Sequence, residues 1–130
     1  MIMINSDPTE LEIALLPLAY ISAECFELSW VLHEALTRTR YRVSGHSGYV
    51  KATTGDIVAP HFWLSVDGYI VDFRLRMWLG DEDSVPHGIF KASDTAGFDY
   101  CGEAYAFSRL TDSELFDLSD GLLGVLSSYV

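Results

Sequence analysis

The sequence predicts an α+β domain in which N-terminal helices pack on an antiparallel β-sheet that is followed by a C-terminal helix. Apolar residues recur at helical spacing up to residue 37, and short runs of aromatic and β-branched residues follow. A strong hairpin signal, Asp67-Gly68, separates two of these runs. The 130 residues fit a single domain spanning 1–130.

Two helices are predicted in the N-terminal third. Residues 7–10 combine a capping side chain, a first-turn proline and a glutamate at the third helical position, so a short helix should run from about Pro8 to Leu18. Ser22 is the next plausible cap, and apolar residues then recur at mostly three- and four-residue spacing through Thr37. This central helix places Cys25 in its first turn.

The strands are predicted from about residue 41 onward. Residues 41–50 alternate in the manner of a strand, with two glycines that predict a bulge or kink. His61–Val66 and Tyr69–Phe73 flank Asp67-Gly68 and form a hairpin. Tyr100–Phe107 adds a further strand.

Two more segments complete the predicted order. Gly80–Gly97 contains three glycines, one proline and an acidic run at 81–83, so we expect a long loop that borders the functional site. Thr111–Glu114 has the pattern of a capping box, which predicts a C-terminal helix that Gly121 interrupts.

The charge of the chain disfavours several classes of partner. There are 19 acidic and 8 basic residues, a formal net charge of −11, whereas nucleic-acid binding needs clustered Lys and Arg. We therefore expect neither a nucleic acid nor an anionic membrane as partner. No apolar stretch reaches the roughly 18 residues of a membrane span, and no secretory signal is visible. The expectation is a soluble cytoplasmic protein whose two cysteines are reduced.

The register of the predicted hairpin brings chemically useful side chains together. A two-residue turn at Asp67-Gly68 places His61, Trp63, Asp72 and Arg74 on one face of the hairpin. The other face is apolar: Phe62, Leu64, Val71 and Phe73. His61 and Asp72 become diagonal neighbours within reach of a hydrogen bond, and a carboxylate in that position fixes the tautomer of an imidazole and stabilises its cation.

Cys25 is the candidate nucleophile. A thiol in the first turn of a helix lies near the positive end of the helix dipole, and a nearby imidazolium favours the thiolate further. The Cys25 amide, unpaired within the helix, could donate to a tetrahedral oxyanion. These residues therefore predict thiol-based acyl chemistry.

Three segments resemble the transglutaminase-like core of the papain-like cysteine protease superfamily: residues 22–29 (SAECFELS), 41–45 (YRVSG) and 61–72 (HFWLSVDGYIVD). In that family a cysteine at a helix start precedes a histidine on a strand, and an aspartate follows on the neighbouring strand. The resemblance covers roughly residues 20 to 75. It implies a catalytic triad with Cys25 as nucleophile, His61 as general base and acid, and Asp72 as orienting carboxylate.

The expected reaction is acyl transfer from an amide, ester or thioester of a protein, a peptide or a small acyl compound. Water as acceptor gives a peptidase, amidase or deamidase, and an amine gives a transglutaminase-type acyltransferase. Trp63, Arg74 and His87 are candidate substrate-cleft residues, and the loop Gly80–Gly97 is expected to wall the cleft beside Cys25. No cofactor is expected, because nothing resembles a phosphate-binding glycine-rich loop.

Two alternatives stay open. The chain could be an inactive transglutaminase-like scaffold that binds a basic protein through its acidic surface. It could also hold zinc, although structural zinc sites favour closely spaced ligand pairs. The possible zinc ligands are instead scattered singly: Cys25, His46, His61, His87 and Cys101. Of these, Cys101 is expected in the core.

Overall fold

The computed structural model describes residues 24–39, 41–80, 82 and 84–119, together with Leu15. Over these residues the protein is α+β. The helices are α1 (Cys25–Thr37), α2 (Leu75–Leu79) and α3 (Asp112–Leu118). The strands are β1 (Val43–Ala52), β2 (Ile57–Val66), β3 (Tyr69–Asp72), β4 (Gly88–Lys91) and β5 (Phe98–Ala104). They form one antiparallel sheet in the order β4-β3-β2-β1-β5.

Helix α1 is the predicted central helix, and Cys25 is its first residue. Its N-cap is Glu24, whose side chain makes no capping hydrogen bond. Ser22 and most of the predicted first helix lie outside the described residues, although Leu15 is helical and buried. At the other end of the domain, the predicted capping box of α3 is confirmed by reciprocal bonds between Thr111 and Glu114.

The β2–β3 hairpin has the predicted register, with Val66 paired to Tyr69 and Leu64 to Val71. Asp67 and Gly68 have φ angles of 49° and 86°. A two-residue turn with positive φ at both positions matches the twist of the strands that it joins. Since the register decides which side chains share a face, this turn fixes the two faces of the hairpin.

The predicted irregularity in β1 is confirmed as a shift of register between Gly48 and Val50. A side chain at Gly48 would clash with the carbonyl oxygen of Cys101 on β5. Glycine is required here because β1 and β5 approach so closely.

The prediction of a long bare loop at Gly80–Gly97 is wrong. Its second half contains β4, which pairs with β3, and a short 3₁₀ turn at Ala92–Asp94. Pairing with β4 satisfies backbone groups of β3 that would otherwise be left open at a sheet edge. Residues 81 and 83 of the acidic run lie outside the described residues.

The two faces of the sheet carry different cores. Helix α1 packs on the face that presents Leu64, Val66 and Val71. A smaller cluster on the opposite face joins Val50, Val58, Leu75 and Val85. Within the described chain, no helix is long and apolar enough to span a bilayer.

The face of the sheet that carries this smaller cluster is strongly concave. The rings of Phe90 and Tyr100 lie 6.0 Å apart, although these residues belong to the two edge strands, β4 and β5. Neighbouring strands of a sheet are about 4.8 Å apart, so a flat arrangement would separate the two edges by roughly four such spacings. The curvature places side chains of β2, β3 and β5 around one small volume.

Candidate active site

His61 and Asp72 form a buried hydrogen-bonded pair on the concave face. His61 Nε2 donates to Asp72 Oδ2 over 2.7 Å, and the two residues are 0% and 3% exposed. The prediction that their side chains face the same way on adjacent strands is confirmed. The bond assigns the proton on Nε2, so the tautomer of the ring is fixed.

The Asp72 carboxylate is held by two further donors. The Tyr100 hydroxyl donates to the same oxygen, Oδ2, over 2.8 Å, and the backbone N–H of Arg74 donates to Oδ1 over 2.9 Å. Burial, together with the negative charge of Asp72, raises the pKa of Tyr100, so the phenol remains a donor. The carboxylate is thus fixed in place.

Tyr100 was not identified from the sequence. It lies on β5, which neighbours only β1 in the sheet, and the contact with Asp72 on β3 depends on the curvature. No local motif records such a contact between distant strands.

Trp63 packs between two imidazole rings. Its ring stacks on His61 with centroids 6.0 Å apart and on His46 with centroids 5.8 Å apart. The Tyr100 ring meets it edge-on at 5.1 Å. These contacts bury Trp63, and its role in a substrate cleft stays a prediction. Its location supports the orientation of the His61 ring.

The second ring nitrogen of His61, Nδ1, faces the remaining member of the predicted triad. Nδ1 is buried and forms no hydrogen bond of normal geometry with the described residues. Burial alone would lower the pKa of His61, but hydrogen bonding to Asp72 and Cys25, and their charges, raise it to about 9. Because Asp72 occupies Nε2, the interaction with Cys25 falls on Nδ1.

Cys25 starts α1 and is largely buried, with 9% of its surface exposed. The first hydrogen bond of the helix runs from the Leu28 N–H to the Glu24 carbonyl, so the amides of residues 25–27 are not used within the helix. Arg74 adds positive charge here: burial lowers the pKa of Arg74, while the charges of Asp72 and Cys25 act in the opposite direction. The His61 imidazole and the charge of Arg74 therefore both interact with the Cys25 thiol.

A cleft of about 580 Å³ opens beside Cys25. One wall is the start of α1, and the other walls are α2 and the first half of β2. Its lining residues are Glu24, Cys25, Phe26, Asp56, Ile57, Val58, Ala59, Pro60, Phe62, Trp78 and Leu79. The expectation that Gly80–Gly97 walls this cleft is wrong, since no described residue of that segment lines it; Trp78 of the unpredicted helix α2 takes that place.

Arg74 and His87, two other expected cleft residues, are not among the lining residues of this cleft. β3 ends at Asp72 and α2 begins at Leu75, so Arg74 lies between them and is not paired with His61 in the hairpin. Its Nη1 donates to the Phe73 carbonyl. The His87 ring packs edge-on against Phe73 with centroids 5.4 Å apart. Cys101, expected in the core, is only half-buried on the edge strand β5.

Among the residues that the structure describes, no group of three His, Cys, Asp or Glu side chains is arranged to hold a metal ion. No protein-family model matches the chain, and no curated protein or solved structure is significantly similar to it.

Proposed function

We propose that the protein is a cysteine-dependent acyl-transfer enzyme, related in its site to the transglutaminase-like core of the papain-like superfamily. Cys25 is the nucleophile, His61 the general base and acid, and Asp72 the orienting carboxylate. One observation carries this proposal. A buried histidine is fixed by Asp72 through Nε2, and its Nδ1 is left for a helix-start cysteine beside an open cleft.

The first half-reaction begins with the transfer of the Cys25 proton to Nδ1 of His61. Because the pKa of His61 is raised to about 9, the imidazolium is the favoured form of the ring at neutral pH. The thiolate attacks the acyl carbon, and the C=O electron pair moves onto oxygen. The free amide of Cys25 donates to this oxyanion, an interaction typically worth 10²–10³ in rate.

The tetrahedral intermediate then collapses. The imidazolium returns its proton to the leaving nitrogen, oxygen or sulfur, the bond to the leaving group breaks, and a thioester to Cys25 remains. Water or an amine attacks the thioester carbon while His61 removes its proton. The C–S bond then breaks, the acid or amide product leaves, and His61 returns the proton to the Cys25 sulfur. Hydrolysis and transfer thus share every protein group and differ only in the acceptor.

The proposal is tested by detecting the acyl-enzyme. Wild-type protein is mixed with 4-nitrophenyl acetate or with an acetyl thioester, and its intact mass is recorded. We expect one added acetyl group, which peptide mapping places on Cys25. The Cys25→Ser and His61→Ala variants should lose this product, whereas the matched control Cys101→Ser should keep it. Acetylation that persists in Cys25→Ser, or that maps to Cys101, contradicts the proposal.

A catalytically inactive binding module is the second candidate. It is favoured by the exposure of large apolar side chains at the cleft, Ile57 at 58% and Trp78 at 55%, in a chain of net charge −11. Such a module would bind a basic protein in a salt-dependent manner without acylation of Cys25. The acetylation experiment separates the two candidates.

A further inference from the structure

The cleft has an uneven distribution of charge. Two basic side chains, His61 and Arg74, are buried and interact with Cys25, whereas the lining of the cleft carries two exposed carboxylates, Glu24 and Asp56. No Lys, Arg or His is among the lining residues of the described chain. A substrate therefore meets negative charge in the open cleft and positive charge only at the reacting centre.

The two carboxylates are available to a ligand. Asp56 Oδ2 accepts a hydrogen bond from the Thr54 hydroxyl over 2.9 Å, and the Glu24 side chain makes no capping bond. Neither residue forms an ion pair within the part of the chain that the structure describes. Three arginines bond to other groups: Arg38 and Arg109 bond to Glu34, and Arg76 bonds to the Val85 carbonyl.

The apolar part of the lining complements these acids. Trp78 on α2 and Ile57 on β2 both line the cleft while more than half of each remains exposed. An indole face attracts a cation, and the carbon chain that carries a cation can lie on apolar surface. Lysine- or arginine-like side chains combine both properties.

We propose that the cleft selects acyl donors whose side chain next to the reacting carbonyl is a long alkyl chain ending in a cation. The stem packs on Trp78 and Ile57, and the cation is attracted by Glu24 and Asp56. This inference rests on the proposed acyl-transfer function. The two acids lie at the N-cap of α1 and in the turn between β1 and β2.

The test uses the 4-nitrophenyl esters of Nα-acetyl-lysine, Nα-acetyl-norleucine and Nα-acetyl-glutamate, because lysine and norleucine differ mainly in the ammonium group. We expect the lysine ester to acylate Cys25 roughly tenfold faster than the norleucine ester, as for two partly exposed charge pairs and one cation–π contact. The glutamate ester should be slowest. The ratio of rates cancels any change in the intrinsic reactivity of the thiol.

The lysine-to-norleucine ratio should approach one in the double variant Glu24→Gln/Asp56→Asn. The matched control Asp99→Asn/Glu103→Gln removes the same charge from two exposed residues of β5 outside the cleft, and it should keep the wild-type ratio. A wild-type ratio near one, or a ratio that survives loss of Glu24 and Asp56, overturns the inference.

A binding measurement separates this inference from the chemistry. The methyl esters of Nα-acetyl-lysine and Nα-acetyl-norleucine are titrated into Cys25→Ala while tryptophan fluorescence is recorded. Preference for the lysine ester without acylation of the wild-type protein supports the cleft's selectivity and contradicts the acyl-transfer function. Acylation of Cys25 without any preference among the esters leaves the enzyme proposal standing and overturns the selectivity.

Discussion

Two buried carboxylates, Glu34 and Asp72, each accept several hydrogen bonds in this domain. They differ in whether a donor partner keeps a buried polar atom without a hydrogen bond. Glu34 lies on α1 and is fully buried. Its two oxygens accept hydrogen bonds of 2.8–2.9 Å from Arg109, Arg38 and the Leu110 N–H. Each of these donors has a Glu34 oxygen as its acceptor. The network therefore connects α1 to the segment before α3.

Asp72 is held just as firmly, but its partner His61 retains one nitrogen without a well-formed bond. A buried polar group left in that state typically costs about 1–3 kcal/mol. Glu34 has its pKa lowered to about 2, mainly by hydrogen bonding to Arg109, and the pKa of His61 is raised to about 9. A shifted pKa is thus common to both networks; the His61 nitrogen that faces Cys25 without a well-formed hydrogen bond distinguishes the candidate active site.

The largest expected effect on stability comes from breaking the Glu34 network. Glu34→Ala removes the acceptor of four hydrogen bonds and should lower the free energy of unfolding by about 3 kcal/mol. Urea denaturation followed by circular dichroism measures this change. Asp112→Asn, which removes only the exposed partner of Arg38, should cost about 0.5 kcal/mol. Equal losses in the two variants would contradict the structural role of Glu34.

The same network predicts a dependence of stability on acid. Because the pKa of Glu34 is lowered from 4.5 to about 2, its ionised form stabilises the fold fully above pH 4.5. This contribution is lost as the pH falls from 4.5 through about 2. The free energy of unfolding, measured in urea at successive pH values, should decline less steeply over this range in Glu34→Gln than in the wild type. Identical slopes would refute the assignment.

A second substitution acts on the other carboxylate. In Asp72→Asn the pKa of His61 should fall well below about 9, because the hydrogen bond to the carboxylate and its charge are lost while the effect of burial stays. The ring-proton resonance of His61, followed by NMR against pH, reports the midpoint. Glu34→Gln is the control and should leave this midpoint in place. A midpoint that stays near 9 in Asp72→Asn would show that Asp72 does not set the charge of the ring.

The smallest effect is expected for Tyr100→Phe. It removes one of three donors to Asp72 and should slow the alkylation of Cys25 by roughly 3- to 10-fold, the equivalent of about 0.5–1.5 kcal/mol. Because only the hydroxyl is lost, the edge-on packing against Trp63 is retained. If Tyr100→Phe slowed the alkylation of Cys25 as much as Asp72→Asn does, Tyr100 would have a more direct role in the chemistry.

The local part of the site could be predicted from the sequence. The turn at Asp67-Gly68 sets the hairpin register, and the register alone places His61 beside Asp72. The helical spacing after Ser22 likewise placed Cys25 in the first turn of α1. Each of these features is decided by residues that are close in the chain.

The remainder depends on contacts between distant segments. Tyr100 reaches Asp72 only because the sheet curves, and Trp78 lines the cleft on a five-residue helix too short to leave a periodic signal. β4 is a four-residue strand whose formation depends on the open edge of β3. These short elements form because of contacts with neighbouring segments, not because of a pattern in their own sequence. For this reason the sequence predicts a loop where β4 forms the edge of the sheet.

The central claim is that Cys25 and His61 act as a pair, and the rate of alkylation by iodoacetamide tests it most directly. At pH 7, Cys25 should react roughly tenfold or more faster than Cys101, with each site quantified by mass spectrometry. His61→Ala should bring the two rates to within about twofold, while Glu34→Gln, measured where it remains folded, should preserve the difference. Equal rates at the two cysteines of the wild type, or a rate at Cys25 that does not change in His61→Ala, would contradict the claim.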